Sequence, residues 1–352
     1  MARKKNAVGL DIGSSSIKVV QLKEGANGLE LANFDVVQLP QEVVVDGVLI
    51  NFKVVSDTIR EIWRNHKIRN KEVALGVSGH AVIIKKITLP QMTREELAEQ
   101  IQWEAEQYIP FDIKDVNVDV QVLNEQSTQG QMDVLLVAAK KDVINDYTSV
   151  TVEAGLKPVV VDVDTFCVQN MFELCHGFPP NETIALINVG ATVMNINVIS
   201  DGVTSFTRDI NMGGMTLTEE IQKQLGVSFE EAEHYKTGGD GTLSNSSLLQ
   251  EVAQMAERVS ESLVTEIQRS IDFFSATSVN ADITRVYLAG GGSQLVTLVN
   301  ALERRLEVPV QVVNPFKSLK IDDTKFDMKW LNRVAPIAGV AVGLGLRRRN
   351  DA

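Results

Sequence analysis

The chain has 352 residues, 44% of them hydrophobic and 23% charged, an ordinary composition for a soluble protein and long enough for two or more domains with sizeable cores. Its net charge of −12 argues against a nucleic-acid binder, which needs clustered Lys and Arg to meet phosphates. Two cysteines, Cys167 and Cys175, and four scattered histidines give no metal-ligand spacing, so reduced core thiols are expected.

Met1 to Lys5 is basic but runs into a strand rather than a signal-peptide apolar region. The longest apolar stretch, Val334 to Leu346, is too short for a bilayer and is broken by Pro336 and three glycines. Direct membrane crossing is therefore not expected.

From Val8 to Val20 an apolar run ends in Asp11-Ile12-Gly13, three hydroxyl residues follow, and apolar residues resume: a strand, a tight hairpin and a second strand. Such a hairpin can hold phosphates. Gly13 lets an oxygen approach the backbone, while Ser14, Ser15 and Ser16 place hydroxyls beside successive N–H groups. Asp11 could hold Mg²⁺ through water and Lys18 could neutralise phosphate. Many Asp-x-Gly-Ser turns merely join two strands, so the hairpin alone decides nothing.

Leu29 to Leu39 reads as a third strand, Ser56 to His66 as a helix with Ile59, Ile62 and Trp63 on one face, and Lys71 to Ser78 as a strand. From His80 to Val161 the order is β-α-β-β-α-β: strand Val82 to Thr88, helix Thr93 to Gln107, strands Val116 to Leu123 and Met132 to Ala139, helix Asp142 to Ala154, strand Pro158 to Val163. Thr93 and Glu96 form a capping-box pattern, followed by Leu97, Ile101, Glu104 and Tyr108 at helical spacing. Asp164 stands where a strand turns into a helix over Phe166 to Leu174, and a helix N-cap is its simplest role.

Ile184 to Ile199 repeats the first pattern, with Asn188 for Asp and then Gly190, Ala191 and Thr192. Two such loops could grip one polyphosphate from facing domains. Gly202 to Ile210 is strand-like, Met212 to Thr216 a glycine turn, and Leu217 to Leu225 a helix. Glu233 and Lys236 then share one helix face, where they can pair or meet a ribose and base edge. Gly238 to Asn245 reads as a polar loop, and Leu248 to Phe274 as one long amphipathic helix. Arg285 to Leu295 is a strand entering Gly290, Gly291 and Gly292, with a helix expected from Ser293 whose N-terminus would favour an anion. A strand from Val308 to Val313 and the segment Pro336 to Leu346 close the fold. Arg347, Arg348 and Arg349 could touch anionic lipid or be a solvated end.

Two Asp/Asn-x-Gly hairpins and a strand–Gly-Gly-Gly–helix, in that order, resemble the phosphate 1, phosphate 2 and adenosine motifs of the actin, sugar kinase and Hsp70 ATPase superfamily. No Walker A or Rossmann glycine pattern stands at a strand-to-helix turn. The resemblance implies an α/β, duplicated actin-like (ribonuclease H-like) fold with a nucleotide cleft. It also implies ATP and Mg²⁺ as cofactors, with Asp11 near the metal, Glu233 and Lys236 near ribose and adenine, and Asp164 positioning the attacking water. Asn188 departs from the usual Asp of the second loop.

The inserted segment, and Met92 to Leu97 with Trp103 to Phe111, are similar to the FtsA and, more closely, the PilM family of type IV pilus assembly proteins. That resemblance implies residues 1–79 and 162–182 as subdomain 1A, 80–161 as an inserted 1C-type subdomain, 183–346 as the second half and 347–352 as a basic tail. It further implies a cytoplasmic protein, peripheral to the inner membrane, that holds the N-terminal cytoplasmic peptide of PilN between 1A and 1C and serves other pilus inner-membrane and motor components. Two alternatives share the fold. FtsA-like proteins carry a membrane-binding C-terminal amphipathic helix that is not read here, and a small-molecule kinase needs a substrate base that no motif supplies. A cytomotive filament is a further possibility.

Overall fold

The computed structural model describes residues 6–26, 28–128, 130–238, 246–278 and 282–349, so most of the loop expected after Gly238 and both chain ends lie outside the described residues. β1 (Val8–Ile12) is buried along its whole length, as suits an apolar run covered on both faces. It pairs antiparallel with β2 (Ser16–Gly25), which pairs antiparallel with β3 (Gly28–Gln38). A small hairpin, β4 (Val44–Val45) and β5 (Val48–Leu49), precedes α1 (Phe52–Asn65). That helix starts before the expected Ser56 because Asn51 caps it, its side chain accepting from the Val54 N–H. β6 (Glu72–Val77) then lies parallel to β1.

The inserted segment divides in a way its order did not reveal. β7 (Val82–Pro90), β9 (Gln131–Lys140) and β8 (Val116–Thr128) form an antiparallel three-stranded sheet. Leu97, Ile101 and Ala105 of α2 (Arg94–Glu106) pack against its Val134, Leu136 and Ala138, and the Thr93–Glu96 capping box is formed. Glu104 and Tyr108 are only partly covered. The next two elements, α3 (Lys141–Glu153) and β10 (Lys157–Val163), leave this sheet. β10 runs parallel to β6, and Tyr147 and Val150 of α3 join Ile59 and Trp63 of α1 in one core. The module's own sheet thus spans 82–140 rather than 80–161. Strand partners are set by distant chain, which local periodicity does not report.

The second half repeats the first. α4 (Asp164–His176) leads to β11 (Thr183–Val189), β12 (Met194–Ser200) and β13 (Val203–Ile210), an antiparallel meander. α5 (Met215–Leu225), α6 (Phe229–Lys236) and α7 (Ser246–Thr277) follow, and β14 (Ile283–Ala289) and β15 (Val310–Val312) add in parallel on the far side of β11. The sheet orders β3-β2-β1-β6-β10 and β13-β12-β11-β14-β15 are the same arrangement twice. On α7 the residues from Val252 to Phe274 that recur at helical spacing are buried, whereas Leu249 is 38% exposed and outside the core.

Between Gly290 and α8 (Val296–Leu306) the expected helix start at Ser293 is instead a 3₁₀ turn over Gly291–Gln294, closed by an extended Leu295. The chain finishes with α9 (Met328–Val334), a 3₁₀ turn and α10 (Gly339–Leu346). α4 and α10 lie between the two sheets in one hydrophobic layer with Val20, Phe34, Ile184 and Tyr287. Gly343 permits this: a Cβ there would overlap the Cys167 carbonyl, so the helices pack backbone to backbone. Cys167 and Cys175 are free and buried in that layer. The three C-terminal arginines pair with acids, Arg347 with Asp162, Arg348 with Glu24 and Arg349 with Glu72, at 3.2, 2.9 and 3.2 Å; Arg347 is half-buried, whereas the Arg349 side chain stays 57% exposed.

Candidate functional site

The β1–β2 hairpin is closed by the Gly13 N–H donating to the Ser16 carbonyl at 3.1 Å, and the β11–β12 hairpin by Gly190 donating to Val193 at 2.9 Å. Both occupy the same topological position in their sheets, and they meet. Ser14 Oγ and Thr192 Oγ1 share a hydrogen bond of 2.7 Å across 178 residues of sequence. Asp11, 8% exposed, pairs with Lys18 Nζ at 3.3 Å, and a Cβ on Gly13 would stand 2.9 Å from that ammonium. Ser16 is buried, whereas Ser15 is half-buried.

Asp164 enters from α4, against Gly76 of β6. It is the first residue of its helix and not its cap; Val163 holds that position without a side-chain bond. Asp164 retains some accessible area yet lies deep beneath both halves. That depth, and next the Asp11 carboxylate, push its pKa up to about 7, although a Ser78 hydrogen bond acts the other way. Two carboxylates sharing a poorly hydrated corner with one lysine are a natural seat for a hard divalent cation. No group of three or more metal-ligating side chains exists among the described residues.

The second loop is buttressed by the glycine turn before α5. Gly214 N–H donates to the Gly190 carbonyl at 2.9 Å and Met215 N–H to Ala191 at 2.8 Å. From α6, Lys236 Nζ reaches Glu233 at 2.6 Å, Thr218 Oγ1 at 2.8 Å and the Gly214 carbonyl at 3.2 Å. The α6 pair therefore stands at the same turn, satisfied internally. Gly290, at φ +83°, abuts Asn188: a Cβ would sit 2.7 Å from Asn188 Oδ1 and collide with the Val189 carbonyl. Gly292 is buried against Val189 and Gly291 is exposed. Because α8 starts only at Val296, the triplet enters a 3₁₀ turn rather than a helix N-terminus, and of its three glycines Gly291 alone is exposed. Surface hollows of about 330 Å³ beside Arg348 and 410 Å³ beside Lys114 lie away from these groups and gather no comparable set of carboxylates.

Sequence reasoning overlooked Ser78, Thr218, Asn195 and Asp209. Asn195 donates to Asp209 Oδ1 at 2.8 Å and accepts from Asn188 at 3.0 Å, while the Gly79 N–H donates to Asp209 Oδ2 at 2.7 Å. Burial raises the Asp209 pKa. The signal was present in Asn195 and Asn197, two amides on an otherwise apolar strand.

A pair of duplicated sheets that bring two glycine hairpins together over a carboxylate pair defines an actin-like protein. Within that class, the chain belongs to the family of type IV pilus assembly protein PilM, whose model matches residues 9–349. It is similar to the PilM-PilN type IV pilus biogenesis complex, at 28% identity over 98% of each chain with a TM-score of 0.86. MreB5 of Spiroplasma citri bound to ADP shares the fold at 12% identity, over 96% of this chain and 94% of that one, TM-score 0.51. Cell division protein FtsA of Bacillus subtilis (strain 168) is 22% identical over 256 residues, 65% of this chain; the chain spans 57% of that relative's length. No helix among the described residues is long and apolar enough to cross a membrane.

Proposed function

We propose that this chain is an ATP-binding, weakly hydrolytic adaptor that works at the cytoplasmic face of the inner membrane, held there by the N-terminal peptide of PilN and linking it to other pilus components and the motor. The observation that supports the nucleotide part is the Ser14–Thr192 bond, by which the two glycine loops meet; phosphate oxygens would take the place of that mutual hydroxyl contact. In this arrangement the amides and hydroxyls of Gly13, Ser14, Ser15, Ser16, Gly190, Ala191 and Thr192 meet phosphate oxygens and Lys18 offsets their charge. Asp11 holds Mg²⁺ through water, Glu233 and Lys236 exchange their mutual pair for ribose and base, and Gly290, Gly291 and Gly292 leave room for adenine. Mg²⁺ supplies charge neutralisation of the phosphates when bound.

Asp164 orients water, and Asn188 in place of a second carboxylate weakens general-base help, a contribution of roughly 10²–10⁴-fold in rate. Slow turnover suits an adaptor. Gly13→Val should abolish binding of a fluorescent ATP analogue, because a Cβ there stands 2.9 Å from the Lys18 ammonium and 3.3 Å from the Ser16 carbonyl and so crowds the loop; a circular dichroism spectrum like the unmodified protein's separates this from unfolding. Retained binding would make the hairpin only a turn.

For the peptide, the seam between subdomain 1A and the 82–140 module is the favoured groove. Val77, Val82 and Val163 are buried there, while Ile84, Val137, Val143 and Phe166 remain partly open. Ile84→Glu should prevent capture of a synthetic PilN N-terminal peptide and leave nucleotide binding intact. Undiminished capture would move the groove elsewhere.

A further inference from the structure

Asn188, Asn195 and Asp209 form one polar row across three strands. Asn188 lies opposite Asn195 in the β11–β12 register, and Asn195 opposite Asp209 in the β12–β13 register. On the other side of the row Asn188 pairs with Ala289, the residue before Gly290. The row ends at the inserted module, because Asp209 accepts from Gly79, whose turn at φ +74° leads into β7. The three bonds are 3.0, 2.8 and 2.7 Å.

The direction of the amides follows from one charge. An ionised carboxylate only accepts, so Asn195 must offer its Nδ2 to Asp209 and keep its Oδ1 for Asn188. Asn188 must then give its Nδ2 to Asn195 and turn its Oδ1 toward Gly290, which is where that oxygen stands. Neither amide can flip without losing a bond in a poorly hydrated strand interior, and Asn195 is 3% exposed.

We infer that Asp209 is a positioning residue that couples the second glycine loop to the root of the inserted module, so that a nucleoside phosphate in the cleft and a peptide at the module alter one another's affinity. This rests on the nucleotide and peptide sites proposed above. A phosphate that draws on Asn188 shifts the row, and Gly79 at its far end shifts with it. By linkage the effect is reciprocal.

The test measures a ratio. The dissociation constant of a fluorescent PilN N-terminal peptide is determined with and without saturating Mg-AMPPNP, for the unmodified protein, Asp209→Asn and Asn195→Leu. The unmodified protein should show a change of about fivefold or more, the lower end of usual couplings. Asp209→Asn, which releases the direction that the carboxylate imposes on the amides, and Asn195→Leu, which removes the middle of the row, should each bind both ligands with a ratio of about one. Hydrogen exchange on the unmodified protein supplies a readout independent of either variant's folding: Mg-AMPPNP should change the exchange rate of the Gly79 amide. Persistence of the ratio in both variants, or an unmodified protein that binds both ligands with neither a ratio nor a change at Gly79, would overturn the coupling. Failure of the unmodified protein to bind one of the ligands would instead overturn the proposed function, and the inference with it.

Discussion

Asn188 shows how one residue's effect depends on its neighbours. Restoring the carboxylate usual in the superfamily should speed hydrolysis, yet Asn188→Asp alone sets an acceptor against Asn195 Oδ1, which Asp209 holds in place. Leaving that pair unmatched costs about 1–3 kcal/mol, so the single variant should melt lower and turn over ATP little faster. Adding Asp209→Asn frees Asn195 to flip and donate, so the double variant should recover stability and hydrolyse faster than the unmodified protein. Phosphate release and thermal melts check both; equal stability of the single and double variants would remove the amide row from the explanation. Asp164 gives a second outcome at this scale. Folding raises its pKa from 3.8 to about 7, so the folded state keeps a proton that the unfolded chain releases. Its stabilising contribution is complete below pH 3.8 and is lost as the pH rises through about 7. Without Mg²⁺ or nucleotide, the decline of melting temperature from pH 4 to 7 should be shallower in Asp164→Asn, and parallel curves would show that burial does not perturb this group.

Among the elements, the inserted module is set apart by its edges. Val82 of β7 pairs with Ala139 of β9, so the module enters and leaves the first half at adjacent points. Replacing residues 83–138 by a two-residue turn should therefore preserve the fold and nucleotide binding while abolishing capture of the PilN peptide. Removing 80–161 should not yield a folded protein at all, since it takes α3 from the α1 core and β10 from its place beside β6. Circular dichroism and nucleotide binding of the two deletions distinguish these outcomes. Equal behaviour would place α3 and β10 with the module after all.

Over the whole molecule, the layer of α4 and α10 between the sheets joins the halves, and the last arginines tie the chain's end back to the first half. Arg347 faces Asp162, whose pKa burial raises despite that cation. Arg347→Ala should lower stability at neutral pH by about 1–3 kcal/mol, the cost of leaving a buried polar group without its partner. The loss should shrink in acid as Asp162 takes a proton. A denaturant midpoint unchanged at neutral pH would show the pair to be idle. Of the three, only Arg347 is held in a half-buried pair; Arg348 and Arg349 keep exposed side chains in surface pairs that contribute little.

Sequence alone determined what depends on neighbours in the chain: the two strand–glycine–strand hairpins, the Thr93–Glu96 cap, the α7 stripe, and the order of elements that resembles the actin superfamily. Each is set by spacing or by backbone freedom within a few residues. Tertiary structure decided what depends on distant partners. Whether β10 belongs to the module or to the main sheet, whether Ser14 meets Thr192, and whether Arg347 finds Asp162 are all settled by pairing across long stretches of chain. The Asn188–Asn195–Asp209–Gly79 row is of the same kind, because hydrogen bonds between strands and their direction follow from register and from one buried charge, neither of which the local sequence carries.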